Sequence, residues 1–298
     1  MDLGDDRALA VAAARARLLA DVSLEATPTQ LARRGDLADR LPAGTAVYLP
    51  ALDKVPEAAR VEAAAGLVRA GLRPVPHLAA RRLAGTGELD DVLGAWRDVG
   101  VADVLLIAGD LARPAGAFTS TLDVLATGLL ERHGVRRLGV AGHPEGHPVA
   151  DRAALAAALE AKLAYARATG TEMWIVTQFA FEAGPLAAFE ARLRDEGVTL
   201  PVRAGLPGPA STRTLMTYAW QCGVAASARV LARRPSAARL LGRWAPDAVV
   251  DALAAHRADA PASLIGGLHL FPFGGLEAAL DWRDDAARRV ATIAECER

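Results

Sequence analysis

Eight short apolar runs recur along this chain, and helical patterns fill the gaps between them. The runs cover residues 22–27, 46–50, 73–78, 102–108, 137–142, 172–179, 198–205 and 263–271. Apolar runs of this length, bounded by glycine, proline or charge, read as strands buried on both faces, as in parallel sheets. Between them, Val61, Ala64, Ala65 and Val68 share one helical face, Leu155, Leu159 and Leu163 another, and Leu186, Phe189 and Leu193 a third. Helices are expected over residues 57–70, 90–99, 118–133, 153–168 and 185–196, each followed by a glycine suited to end it: Gly71, Gly100, Gly134, Gly170 and Gly197. A regular strand–helix period of eight units predicts an α/β chain forming a (β/α)8 TIM barrel, one domain over residues 1–298. An extra helix over residues 7–19 precedes the barrel, short extra helices fall within residues 210–259 between strands seven and eight, and a last helix spans 276–295. An open doubly wound sheet fits less well. Its first turn would carry glycines for a phosphate, and here the turn is Ala26-Thr27-Pro28-Thr29.

The bulk numbers narrow the function. A hydrophobic content of 52% in 298 residues supplies a large core, and a formal net charge of −1 gives no field that would draw nucleic acid or an anionic membrane. The acidic start, Met1 to Asp6, has no apolar stretch after it, and no run approaches the ~20 apolar residues of a membrane helix. Cys222 and Cys296 do not resemble a disulfide framework, so a reducing cytoplasm is the expected compartment.

In a parallel barrel the C-terminal strand ends carry the chemistry, and several runs here end on a polar side chain. Glu25 closes the first run before a proline turn; partial burial would raise its pKa and suit a general acid, while a capping or arginine-paired carboxylate is the plain alternative. His77 closes the third run and by itself reads as a satisfied core histidine. Asp110 follows Gly109, where a ligand can approach the backbone; it either accepts from a ring N–H or caps the next helix. Gln178, at the end of the sixth run, offers a donor and an acceptor to a heterocycle edge or to a neighbouring loop. His143 and His147 flank Glu145, but Pro144 and Pro148 deny them the shared helical face of an HExxH site, so no metal is expected. Phe271 and Phe273, beside His269, read as packing at the last strand end.

Taken in chain order, these pieces resemble the methylenetetrahydrofolate reductase family. The carriers are Val22-Ser23-Leu24-Glu25, Pro76-His77-Leu78, Gly109-Asp110, Pro144-Glu145-Gly146-His147-Pro148, Thr177-Gln178-Phe179 and Gly205-Leu206-Pro207-Gly208. The resemblance implies reduction of 5,10-methylenetetrahydrofolate to 5-methyltetrahydrofolate with NADH or NADPH through bound FAD. It implies Glu25 as general acid and Asp110 as the negative charge beside the cationic intermediate and the flavin. Gln178 and Phe179 would meet the pterin. His77, Gly109, Asp110, His143 and His147 would line the flavin site, and Lys162 would meet the flavin phosphates. The partner is a folate, with neither nucleic acid nor membrane, and a homo-oligomer follows by family analogy alone.

Several family positions differ. Ala108 stands where an arginine often precedes Gly-Asp, His143 where a tyrosine is common, and Phe271-Pro272-Phe273-Gly274-Gly275 replaces a segment that carries an arginine. The pterin-facing positions are kept better than the flavin contacts. Two alternatives therefore stand beside the flavoenzyme: a flavin-independent reductase, and a folate-dependent methyl-transferring or demethylating enzyme on the same barrel. A folate-binding relative without turnover is a third.

Overall fold

The computed structural model describes residues 3–222, 224 and 243–296. The chain opens with α1 (Leu3–Ala20), β1 (Val22–Glu25), α2 (Pro28–Ala32), α3 (Leu37–Arg40), β2 (Ala46–Leu49), α4 (Glu57–Arg69) and β3 (Arg73–Ala79). A 3-10 turn, Ala80–Arg82, leads to α5 (Thr86–Asp98), β4 (Asp103–Ile107), α6 (Thr121–Leu125), α7 (Leu129–Arg132), β5 (Arg137–Gly142), α8 (Arg152–Thr169) and β6 (Glu172–Thr177). Then come α9 (Ala183–Asp195), β7 (Val202–Pro207), β8 (Ala210–Ser211), α10 (Thr212–Gln221), β9 (Arg243–Trp244), α11 (Asp247–Asp259), β10 (Ile265–Phe271) and α12 (Leu276–Cys296). Eight strands pair in the order β1-β10-β7-β6-β5-β4-β3-β2, which closes on itself as the (β/α)8 barrel expected from the sequence. Among the described residues no helix is long and apolar enough to cross a membrane.

The departures from the sequence expectation have local causes. The first strand stops at Glu25 because Thr27 caps α2: its hydroxyl accepts from Gln30 N while the Gln30 side chain accepts from Thr27 N, and Pro28 sits in the first turn. The helix expected over residues 118–133 is two short ones, because Thr127 Oγ1 accepts from Leu129 N and starts a new helix there. The seventh strand begins at Val202, after Pro201, and runs on to Pro207. Between β7 and β10 lie α10 and α11, as expected, together with the antiparallel β8–β9 pair, which the sequence does not announce; residues 223 and 225–242 of this segment lie outside the described residues.

The chain's contacts gather in two units, residues 1–24, 142–148 and 176–298, and residues 25–141 and 149–175. In the first, β10 pairs with β1 from Val22↔Leu268 to Leu24↔Leu270, and with β7 from Ile265↔Val202 to Phe271↔Pro207. The fully buried Glu190 of α9 ties this unit together: it accepts from Leu264 N at 2.9 Å and meets His256 of α11 at 3.0 Å and Arg194 at 3.0 Å. A carboxylate there would be costly without that set of partners. Surface pairs join α1 to α11, Arg7 with Asp259 and Arg15 with Asp251; exposed pairs of this kind contribute about 0–1 kcal/mol each.

In the second unit β2, β3, β4 and β5 pair in sequence order. Buried Asp103 at the start of β4 takes Arg137 at 2.8 Å and Arg73 at 3.2 Å, joining the beginnings of β3, β4 and β5. At the other ends of the strands, Arg60 of α4 is buried and donates to the carbonyls of Leu49 and His77, while Glu57 holds its other nitrogen at 2.7 Å. Trp174 crosses β5 where Gly139 has no side chain and donates from Nε1 to Tyr48 Oη at 2.8 Å. A Cβ on residue 139 would lie 2.7 Å from the Trp174 ring and 2.9 Å from Leu105 Cδ1. Overpacking of this kind costs about 1–3 kcal/mol. Gly139→Ala should therefore lower the urea midpoint by a corresponding amount, read by circular dichroism; an unchanged midpoint would mean that the Trp174 contact yields freely.

Candidate active site

Glu25 is the last residue of β1, and its Oε1 lies 3.5 Å from His77 Nε2 on β3. Both side chains are largely enclosed, at 17% and 10% exposure. The hydroxyl-bearing ring of Tyr48, fully buried on β2, stands edge-on to His77 with centroids 6.1 Å apart. The alternative that Glu25 caps the following helix is set aside, since Thr27 performs that role. His77 is brought against the expected acid, a pairing that the sequence does not reveal.

Asp110 follows β4 and points outward, with its side chain 78% exposed. Arg82, from the turn after β3, donates to it at 2.6 Å and also pairs with Asp53. One guanidinium thus lies between two carboxylates and leaves the trio with a net charge of about −1. Nothing in the sequence singles out Arg82, yet it meets the Gly-Asp turn whose preceding residue is Ala108 instead of arginine. Gly109 adopts φ +90°, and a Cβ there would approach the Ala79 side chain to 3.3 Å, so the turn is glycine-specific. Arg81 fastens the same loop by donating to the carbonyls of Leu111, Ala112 and Thr119.

Lys162 lies half-buried on α8, and burial alone lowers its pKa. Among the described residues no salt bridge offsets that cost. An ammonium so placed is better satisfied by an anion than by water.

The other unit carries its own cluster. Gln178 directly follows β6; its N–H donates to Gly142 O at 2.8 Å, and its Oε1 accepts from Phe179 N at 3.0 Å. The amide NH2 can therefore serve a ligand, while one lone pair of the oxygen is already engaged. Phe179 is 1% exposed, so its contribution is to the floor and not to an open face. Around it stand Phe181, Phe271 and Phe273 at centroid distances of 5.7, 5.6 and 4.9 Å. Tyr218 of α10 stacks on Phe273 at 4.2 Å and 17°. Sequence reasoning misses Tyr218 because nothing in its helical surroundings distinguishes it; only the fold brings it to the end of β10. His143 and His147 stand edge to face at 4.8 Å in the loop after β5. Among the described residues no three histidine, cysteine or acidic side chains are grouped to hold a metal ion.

Comparison with solved structures bears first on the fold. An uncharacterized protein from Clostridium thermocellum that binds two copies of 5-methyl-5,6,7,8-tetrahydrofolic acid superimposes with a TM-score of 0.56 at 11% identity, over 90% of this chain and 95% of its own. Dihydropteroate synthase from Thermus thermophilus gives a TM-score of 0.45 at 17% identity, over 92% of each chain. The methylenetetrahydrofolate reductase family model matches residues 50–233. That span holds His77, Gly109, Asp110, His143, His147, Lys162, Gln178 and Phe179 and leaves Glu25 outside it. It covers more than half of the chain, and the chain belongs to the methylenetetrahydrofolate reductase family.

Proposed function

We propose that this protein reduces 5,10-methylenetetrahydrofolate to 5-methyltetrahydrofolate at the expense of NADH or NADPH. Family membership supports a folate as substrate, as does the methyltetrahydrofolate bound by the Clostridium thermocellum barrel. The observation that carries the reading is the enclosed Glu25 carboxyl at the end of β1, set against His77. The chemistry needs a proton donor and then a hydride. Glu25 gives its proton to the amine nitrogen at one end of the methylene bridge. The carbon–nitrogen bond breaks with its electron pair going to that nitrogen, and the carbon remains on the other nitrogen as an iminium cation. A hydride then converts that carbon to a methyl group. The cation favours a negative neighbour; Asp110 supplies one, moderated by Arg82. In the other unit, the Gln178 amide NH2 is suited to donate to a heterocycle edge, with Phe179 buried beside it.

The family generally uses FAD, and Lys162 fits it: an unbalanced, half-buried ammonium is a place for a phosphate oxygen. His77, Gly109 and Asp110, in the same unit as Lys162, would line the flavin with it. When bound, FAD carries the hydride between nicotinamide and folate. A second reading is favoured by the Asp53–Arg82–Asp110 clamp, which engages the carboxylate of the turn expected to receive the flavin. In that reading the nicotinamide delivers its hydride directly to the folate.

The test is anaerobic oxidation of NADH and NADPH by purified protein with 5,10-methylenetetrahydrofolate, with FAD added and omitted. Folate-dependent oxidation that requires FAD supports the flavoenzyme; equal oxidation without it supports direct transfer. No oxidation in either case overturns both readings and favours methyl transfer or simple folate binding. Glu25→Gln should lower turnover about 10²–10⁴-fold, the usual worth of a positioned acid, with an unaltered circular dichroism spectrum; wild-type turnover in this variant would remove Glu25 from the mechanism. Lys162→Met should release FAD at concentrations that saturate the wild type, read by equilibrium dialysis, while leaving 5-methyltetrahydrofolate affinity unchanged. Equal FAD retention by both proteins would rule out the Lys162 contact.

A further inference from the structure

We propose that His77 is a positioning residue for Glu25, setting the strength and direction of that acid. The inference rests on the reductase reading for its chemistry, but the geometry stands apart from it.

Glu25 and His77 belong to the same unit, at the ends of β1 and β3. Contacts at the backbone, at the ring and behind Tyr48 hold the imidazole in place. Arg60, buried on α4, donates to the His77 carbonyl and so pins the backbone at that strand end. Tyr48 packs edge-on against the ring at 6.1 Å. Trp174 holds Tyr48 through a 2.8 Å hydrogen bond, and Gly139 leaves the space that Trp174 crosses. A ring held on these sides keeps its Nε2 directed at Glu25 Oε1, 3.5 Å away. That separation is longer than a well-formed hydrogen bond, and catalytic contacts commonly shorten once substrate is bound.

The arrangement answers a chemical need. The carboxylate left when Glu25 gives up its proton is stabilised by a donor held beside it. With a neutral imidazole carrying hydrogen on Nε2, the carboxylate gains a donor as the proton departs to the folate amine. The donor is aimed in advance at the site where charge develops, so little reorganisation is required. His77 gives up no proton in this step and touches none of the reacting atoms. Charged groups of the same unit include Arg60, which pairs with Glu57, and the Asp53–Arg82–Asp110 trio.

Two variants and two readouts test this. In His77→Leu, turnover should fall about tenfold or more while the dissociation constant for 5-methyltetrahydrofolate changes less than twofold; His77→Gln, whose amide nitrogen can still donate, should recover most of the loss. Independently of turnover, infrared difference spectroscopy can follow the Glu25 carboxyl band, identified by its disappearance in Glu25→Gln. Its titration midpoint should move to higher pH in His77→Leu and return toward the wild-type value in His77→Gln. An unmoved midpoint in His77→Leu overturns the proposal, as does equal turnover in all three proteins. A moved midpoint in a protein that does not oxidise NAD(P)H would keep the Glu25–His77 coupling and discard the reductase reading instead.

Discussion

The packing of Trp174 across Gly139 onto Tyr48 is the constraint on which the acid-bearing half of this protein depends. A tryptophan reaches over one strand only where that strand has no side chain, and Gly139 is that place. The indole donates to the hydroxyl of Tyr48, a fully buried residue. Tyr48 in turn fixes the face of His77, and His77 faces Glu25. Arg60 secures the same strand ends from the helix side by bonding to the last carbonyl of β2 and to β3. Glu25, the acid of the proposed reaction, thus stands at the end of a short chain of contacts.

Charge is handled differently after β4. Asp110 is exposed and shares Arg82 with Asp53, so its negative charge is moderated from outside and not by burial. Glu25 and Asp110 therefore have separate physical characters, one enclosed beside an imidazole and the other exposed in a guanidinium clamp. Two carboxyl groups whose surroundings differ in this way can divide acid and electrostatic roles between them. In the proposed reaction Asp110 faces the cation formed on the substrate, and Glu25 supplies the proton.

Much of this is legible in the sequence, and the parts that are not share a cause. The strands show because short apolar runs between helical stripes fit little except a buried sheet, and the polar residues at their ends mark Glu25, His77, Asp110 and Gln178 directly. The ends of elements are less visible. Apolar pattern alone extends β1 two residues too far, because the capping of α2 by Thr27 competes with strand extension, and it carries one helix through the break at Thr127. What a sequence does not supply is pairing across the fold. Arg82 reaches Asp110 over 28 positions, Trp174 reaches Tyr48 over 126, and the stacking of Tyr218 on Phe273 joins α10 to the end of β10. No local periodicity encodes such meetings, and the contact of His77 with Glu25 is another of them.

The fate of the folate bears most directly on the reductase chemistry. The deciding measurement is to quantify 5-methyltetrahydrofolate by mass spectrometry against NAD(P)H consumed in the same anaerobic reaction. Reduction at this site predicts one methyl product for each nicotinamide oxidised. Nicotinamide consumption without that product, or product that appears only when a methyl donor replaces nicotinamide, would contradict it.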